Sequence, residues 1–372
     1  MRNNADRKVI RSFGVFSTLF LSLVGFGVFT YTKNIGKILG NNAFFPTIIY
    51  GIIYLAVIYI IYNTVKINNN NELNIIVENL FGKFIGRILL FLISIGIIFL
   101  ISMQLRIFID SIKLYIFPEI NSEFMIGATL IICYYVVRFG DKVLTGINEI
   151  MFVFLLICCF VTFAIVCKNI NLDNMLPMNI ESGYIYLKGF LTFSSYFIGS
   201  MMLYYILPRY RSEGNEKVNV SYKSTILSFV FLSLLFLTCV GILNINQTVK
   251  SNWPIIIAFT TIDVPGGFIE RVEGIVITIA TIFFIVNFIN LYFYASYVNS
   301  KSLGLFRHKV SSTMFIPIIY ILTLIPKGVE DIDFIINTWV FYISLILVFF
   351  VPVVLFLATY IKRSIVKGEG VK

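Results

Sequence analysis

The sequence predicts an all-α membrane protein of ten transmembrane helices, and three observations predict it. Charged residues are only 13% of the chain and hydrophobic ones 58%, whereas soluble domains run at about 25% charged. Apolar runs close to the ~20 residues that cross about 30 Å of hydrocarbon recur from end to end. Lysine and arginine collect in alternate connections between those runs, as membrane orientation requires. The net charge of +10 is scattered through these short connections, which argues against a nucleic-acid partner.

The spans read in order as roughly 9–31, 44–65, 84–110, 123–138, 144–167, 185–207, 223–245, 268–296, 312–326 and 334–361. The first follows the basic stretch RNNADRKVIR and leads through Thr30-Tyr31-Thr32-Lys33 into more membrane sequence, with no small-residue cleavage site. It therefore reads as a retained helix and not a signal peptide. The second ends at Val65, followed by Lys66 and then NNNN at 68–71, a solvated turn. The third is long enough to run on as an interfacial turn to Phe117, and the fourth and ninth are short. Between the seventh and eighth spans, Trp253-Pro254 and IIIAF read as a helix lying in the interface with a tryptophan anchor. No connection is long enough for a soluble domain, so residues 1–372 read as one polytopic domain.

With the N-terminus in the cytoplasm, that face carries 20 of the 29 lysines and arginines. They include Arg2, Arg7, Lys66, Lys83, Arg87, Arg138, Lys142, Arg209, Lys217, Lys301, Lys362 and Arg363. The other face collects Glu119, Asp173, Glu181, Asp263, Asp331 and Asp333, so both termini are expected inside. The five cysteines lie in or beside apolar spans without CxxC spacing and read as small buried hydrophobes. The one histidine, His308, sits in a basic loop, and no nucleophile–base or metal-ligand spacing points to an enzyme or to a cofactor.

The first span contains SLVGFGVFTYTKN, with Gly25 and Gly27 in its second half. Each glycine costs a helix interior roughly 1 kcal/mol against alanine, so a pair needs a reason. Two apart, they do not share a face as GxxxG does. Ten spans divide five and five, and the sixth, counterpart of the first, carries Thr192, Ser194, Ser195, Gly199 and Ser200 in mid-helix. Paired interruptions at matching positions point to an inverted repeat with discontinuous helices one and six, here 9–167 against 185–361. Unwound backbone at membrane depth survives where it lines protein or a wet cavity. Freed N–H groups there can seat a carboxylate. A simple kink is the alternative.

Gly25-Phe26-Gly27-Val28-Phe29 resembles the G-S/A-G-I-F/L stretch of the amino acid–polyamine–organocation transporter superfamily, where this loop binds an amino acid through backbone groups. Trp253-Pro254, followed by Asp263-Val264-Pro265-Gly266-Gly267-Phe268-Ile269-Glu270-Arg271-Val272-Glu273, resembles the start of span eight in the spore germination permeases, the B subunits of nutrient germinant receptors. The resemblance implies a ten-helix inverted-repeat fold in the spore inner membrane, beside an A subunit and a lipoprotein C subunit. Three departures bear on mechanism. Phe26 replaces a small residue, Gly199 is followed by Ser200-Met201-Met202 with no acid, and span five holds no lysine. Intramembrane ionisable groups are the usual proton relays, so proton-coupled uptake is disfavoured.

The expected ligand site is the backbone at Val24, Gly25, Phe26 and Gly27 with Ser22, Thr30, Phe193, Ser194, Ser195, Tyr196, Gln104 and Thr278, and with Met103 and Thr281 also placed to close it. Glu270 and Glu273, on one helix face with Arg271, read as a gate or partner contact at the outer mouth. Arg106 and Asp110, four apart, are expected to pair, and Glu149 to be a structural residue near the cytoplasmic side. No fixed counter-charge is evident near the site, which favours a neutral amino acid. The resulting expectation is a germinant receptor B subunit that binds a small nutrient at mid-depth and signals through its partners. A secondary amino acid transporter and an interaction subunit with a vestigial pocket are the alternatives.

Overall fold

A chain this apolar must satisfy its backbone within itself, because hydrocarbon offers no hydrogen bonds. The computed structural model describes residues 10–178, 181–210, 216–261, 272–305 and 307–369, and among them the chain is helical. The single extended contact among the described residues is a parallel bridge between Ile10 and Tyr210.

The helices run α1 (Ser12–Val24), α2 (Gly27–Leu39), α3 (Phe44–Ile67), α4 (Leu73–Phe81), α5 (Lys83–Tyr115), α6 (Ser122–Phe139) and α7 (Asp141–Val166). They continue with α8 (Gly183–Thr192), α9 (Ser194–Phe197), α10 (Leu203–Ile206), α11 (Glu216–Lys250), α12 (Pro254–Thr260) and α13 (Val272–Ser302). The last are α14 (His308–Leu324), α15 (Val329–Ile335), α16 (Phe341–Leu345) and α17 (Val351–Glu369), the final three joined by π-helical turns. Helix α11 is broken near its end at Asn244, whose φ of 64° is one that asparagine tolerates.

Seven described helical stretches are long and apolar enough to cross a membrane. The difference from ten expected spans has physical causes. The first span is split into α1 and α2, each of 13 residues, and α2 runs on with α3 as one apolar stretch. The sixth is divided into α8, α9, a 3₁₀ turn at Ile198–Met202 and α10. Helix α14 reaches only 17 residues.

Helix α13 is hydrophobic nearly all round and lies at the centre, packed by α5, α14, α1 and α7. Such a helix belongs in a core. Large apolar side chains on α3, α6 and α7, among them Ile52, Ile131 and Phe160, face outward, as lipid contact demands. Polar contacts gather at two ends. One end holds Ile10, Glu72, Asp141, Arg209 and Tyr297, linked through Arg209, and is called the Arg209 end below. The other holds Lys33, Lys37, Asn252 and Asp333 with the Tyr115–Trp253 ring pair, and is the Trp253 end.

Candidate functional site

The interruption of the first span is a close helix contact. Gly25 keeps right-handed helical torsions (φ −51°, ψ −46°), as does Phe26 (φ −79°, ψ −29°). Its N–H bonds to the Leu21 carbonyl at 3.1 Å, and the Phe29 N–H then reaches Phe26 O at 3.2 Å, a three-residue step. The expected unwound loop is therefore a tightened kink. Its cause is packing: a Cβ at position 25 would stand 2.2 Å from Asn287 Cβ and 2.6 Å from Phe283 O on α13. Across the gap, a Cβ at Gly199 would stand 2.2 Å from Ser22 O. The two interrupted segments thus meet at Ser22 and Gly199, with α13 pressed against Gly25.

Buried amides surround this junction. Asn148 on α7 and Asn290 on α13 exchange Nδ2–H···Oδ1 bonds of 2.9 and 3.2 Å. Asn148 also donates to Thr18 Oγ1 at 3.0 Å, and Asn290 donates to Ser22 Oγ at 3.0 Å. Ser22 in turn bonds the Thr18 carbonyl at 2.7 Å and touches Met202 Sδ at 3.3 Å. One turn along α13, Asn287 is 1% exposed, yet its Nδ2 reaches only Gln104 Oε1 at 3.5 Å. Asn287 Oδ1 and the buried Ser200 Oγ have no hydrogen-bond partner. Unpaired buried polar groups carry a penalty of about 1–3 kcal/mol, so both are groups a ligand could satisfy.

Toward the Trp253 end, Phe26 stacks on Tyr196 with ring centroids 5.9 Å apart, and the Tyr196 hydroxyl meets Thr30 Oγ1 at 3.2 Å and Asn34 Nδ2 at 2.8 Å. Beyond this pair lies a cavity of about 40 Å³ lined by Thr30, Lys33, Asn34, Ile107, Asp110, Asn252, Trp253, Ile332, Asp333 and Ile336. Lys33 is buried and donates to Asn252 Oδ1 at 2.8 Å, and Asp110 pairs with Arg106 at 3.2 Å. Fixed charges of both signs therefore stand one turn above the site, contrary to the expectation of none.

Of the expected ligand residues, the fold brings together Ser22, Val24, Gly25, Phe26, Gly27, Thr30, Tyr196 and Gln104. Phe193 borders them, its ring 5.8 Å from that of Tyr196, and it also stacks on Phe229 at 4.8 Å. Three go elsewhere. Ser194 meets Ser344 Oγ on α16 at 2.9 Å, and Ser195 bonds back to the Thr192 carbonyl. Thr278 bonds Gly274 O and, with Thr281, lines a separate apolar cleft among α5, α6 and α13. Met103 is buried in the core, and Glu149 sits against Gly14 at the start of α1. Glu270 and Arg271 lie outside the described residues; Glu273 is in the first turn of α13, its side chain outside them. Asn148, Asn287, Asn290, Lys33 and Asn252 escaped the sequence reading, although amides inside apolar spans are a signal in their own right. Among the described residues no three His, Cys, Asp or Glu side chains group as metal ligands.

At the Arg209 end a compact polar cluster closes the opposite side. Arg209 Nη2 meets Glu72 Oε1 at 2.7 Å, its Nε is 3.8 Å from Asp141, and its guanidinium lies 3.7 Å over the Tyr205 ring. Tyr297 donates to Glu72 and accepts from Arg209.

The profile of the spore permease family, described as spore germination protein, matches residues 9–332. The chain is 26% identical over 346 residues to spore germination protein GerQB of Bacillus cereus, covering 93% of this chain and 94% of that protein. It is 22% identical over 363 residues to spore germination protein A2 of Bacillus subtilis, covering 96% and 97%. Spore germination protein B2 of the same organism matches at 22% over 253 residues, 68% of each chain.

Proposed function

This chain belongs to the spore permease family of spore germination proteins, and on that premise we propose that it is a germinant receptor B subunit binding a small nutrient, an amino acid, at the Gly25–Gly199 junction. The observation that carries the reading is Asn287. It is an almost fully buried amide whose oxygen is unpaired and whose nitrogen has one 3.5 Å contact, beside the backbone that Gly25 opens to close approach. Lys33 and Asp110 would receive the carboxylate and ammonium of an incoming amino acid on its way from the Trp253 end.

The cavity above the site, at about 40 Å³, has room for only a few waters, at roughly 10–15 Å³ of such space each. The arrangement is thus a closed one, and ligand requires Phe26 and Tyr196 to part. A nutrient that binds the parted form better shifts the population toward it, and that shift is the signal passed to an A subunit and a lipoprotein C subunit in the spore inner membrane. The proposal includes ten crossings in a five-plus-five inverted repeat, 9–167 and 185–361, with cytoplasmic termini. Supporting it, the basic residues Arg87, Arg209, Lys301 and Lys362 lie at or near the Arg209 end.

A second reading is favoured by the Phe26–Tyr196 stack itself, which fills the place a ligand would take: an interaction subunit that binds no nutrient. Thermal unfolding of the purified protein against a panel of amino acids, nucleosides and sugars separates the two. Ligand at about a hundred times its Kd adds roughly 2.7 kcal/mol, a visible rise in Tm. A selective rise that Asn287→Leu removes supports the nutrient site. A flat panel, on the chain alone and in complex with its receptor partners, sinks it.

A further inference from the structure

At the Arg209 end a cavity of about 900 Å³ opens between the end of α3 and α17, lined by Asn63, Lys66, Ile67, Asn68, Asn69, Leu80, Thr359, Lys362 and Arg363. Its lining carries three cations and no acid. Among the described residues, none of the three lies within 4.0 Å of a carboxylate. The neighbouring Glu78 is engaged with Arg87 at 3.6 Å. Three like charges converging on one concavity repel one another unless an anion joins them.

The floor of the cavity is fixed. Asn68 Nδ2 donates to Thr64 O at 2.8 Å and to the buried Thr359 Oγ1 at 3.0 Å, which ties the end of α3 to α17. Lys362 donates to Asn79 O at the end of α4, and Lys66 lies 5.5 Å over the Tyr62 ring. Ile67 and Leu80 add apolar surface to the same lining, and Tyr59, Leu357, Tyr360 and Ile361 are exposed on the same two helices. Outward tyrosines mark the depth of the lipid headgroups, so the cations stand near that depth. A soluble anion would use the cations and leave the apolar lining idle; a phospholipid uses both.

We infer that this cavity binds the phosphate of an anionic glycerophospholipid, its acyl chains running along α3 and α17. Basic pockets between membrane helices recognise such headgroups, each lysine or arginine near the anionic surface changing affinity roughly fivefold. The site is separate from the Gly25–Gly199 junction and does not depend on the nutrient reading. It gives the receptor a dependence on the lipid around it.

The full chain in neutral detergent is titrated with phosphatidylglycerol mixed micelles, phosphatidylcholine mixed micelles or sodium phosphate while Tm is followed. Phosphatidylglycerol is expected to raise Tm saturably, and phosphatidylcholine to leave it unchanged. Lys66→Gln/Lys362→Gln/Arg363→Gln should lose most of the rise, while Lys83→Gln/Arg138→Gln/Lys142→Gln, equal in charge and at the same end, keeps it. Should the pocket triple variant fail to fold, Arg363→Gln alone, an exposed position, should shift the midpoint to roughly fivefold more lipid. Native mass spectrometry then counts retained phosphatidylglycerol on it and on the parent chain. An equal rise in both triple variants, an equal rise with phosphatidylcholine, or an equal rise with sodium phosphate at matched phosphate would each overturn the proposal, the last assigning the pocket to a free anion.

Discussion

Gly199 lies so close to Ser22 that a methyl group at 199 would stand 2.2 Å from the Ser22 carbonyl oxygen and 2.5 Å from its carbon. The contact is backbone on both sides, so no rotamer change relieves it. It joins the 3₁₀ turn after α9 to the last turn of α1, and so couples the two interrupted spans directly.

Overpacking a core costs about 1–3 kcal/mol, and a backbone obstacle belongs at or above the top of that range. Gly199→Ala and Gly25→Ala are therefore expected to lower Tm sharply. Gly27→Ala meets Leu232 Cδ2 at 2.8 Å, the movable tip of a side chain, and should be much milder. Thermal unfolding of the three variants in one detergent gives the order, and Gly27→Ala falling furthest would contradict the packing account.

The Asn148–Asn290 amide pair makes a quantitative prediction. Each single change to alanine strands the other amide in a buried site, costing about 1–3 kcal/mol. Interhelical polar pairs in membranes couple by roughly 0.6–1.7 kcal/mol, and two reciprocal bonds of 2.9 and 3.2 Å place this pair in the upper half. A double-mutant cycle on Asn148→Ala and Asn290→Ala, read by unfolding, should return a coupling of about 1.2–1.7 kcal/mol. Additive single effects would remove the pair from the stability of the bundle.

The same residues show what the sequence could reveal. Helix content, the membrane class and the two interruptions follow from composition, run length and the polar letters in the first and sixth spans. Which face of each helix turns inward does not, because in lipid both faces are apolar and periodicity carries little contrast. Thr278 and Thr281 consequently read as site residues, yet they line the cleft with α5 and α6 while Phe283 and Asn287 face Gly25. Ser194 turns to Ser344 for a related reason: the break between α8 and α9 falls at Phe193, just before it. The amides at 148, 287 and 290 were legible by the cost of burying them, a stronger guide here than hydroxyls, which bond back to their own helix as Ser195 does.

Closure of the Arg209 end rests on a buried ion pair, with Arg209 and Glu72 side chains 11% and 10% exposed. Removing one partner of such a pair costs roughly 3–5 kcal/mol, because the other charge is left uncompensated. Arg209→Gln should therefore be strongly destabilising. Arg209→Lys should recover only part of the loss, since an ammonium cannot stack flat on Tyr205 while bonding Glu72 and the Tyr205 carbonyl. Equal Tm for parent and Arg209→Gln would mean the cluster contributes nothing to stability.

The Phe26–Tyr196 stack decides between a working and a filled nutrient site. Phe26 is 7% exposed, and truncating a buried phenylalanine to alanine costs roughly 3–5 kcal/mol by lost transfer and cavity terms. If the stack is a lid, the variant also removes what ligand must displace, so the Tm rise on adding nutrient should grow relative to the parent even as basal Tm falls. Tyr196→Phe keeps the ring and deletes the hydroxyl that holds Thr30 and Asn34. It should loosen the lid with little loss of packing and raise nutrient sensitivity without the full stability penalty. If Phe26 instead merely fills a disused pocket, Phe26→Ala lowers Tm with no nutrient response, and Tyr196→Phe shows only the small cost of two lost hydrogen bonds. The two variants, each measured with and without nutrient, separate a lid from a plug.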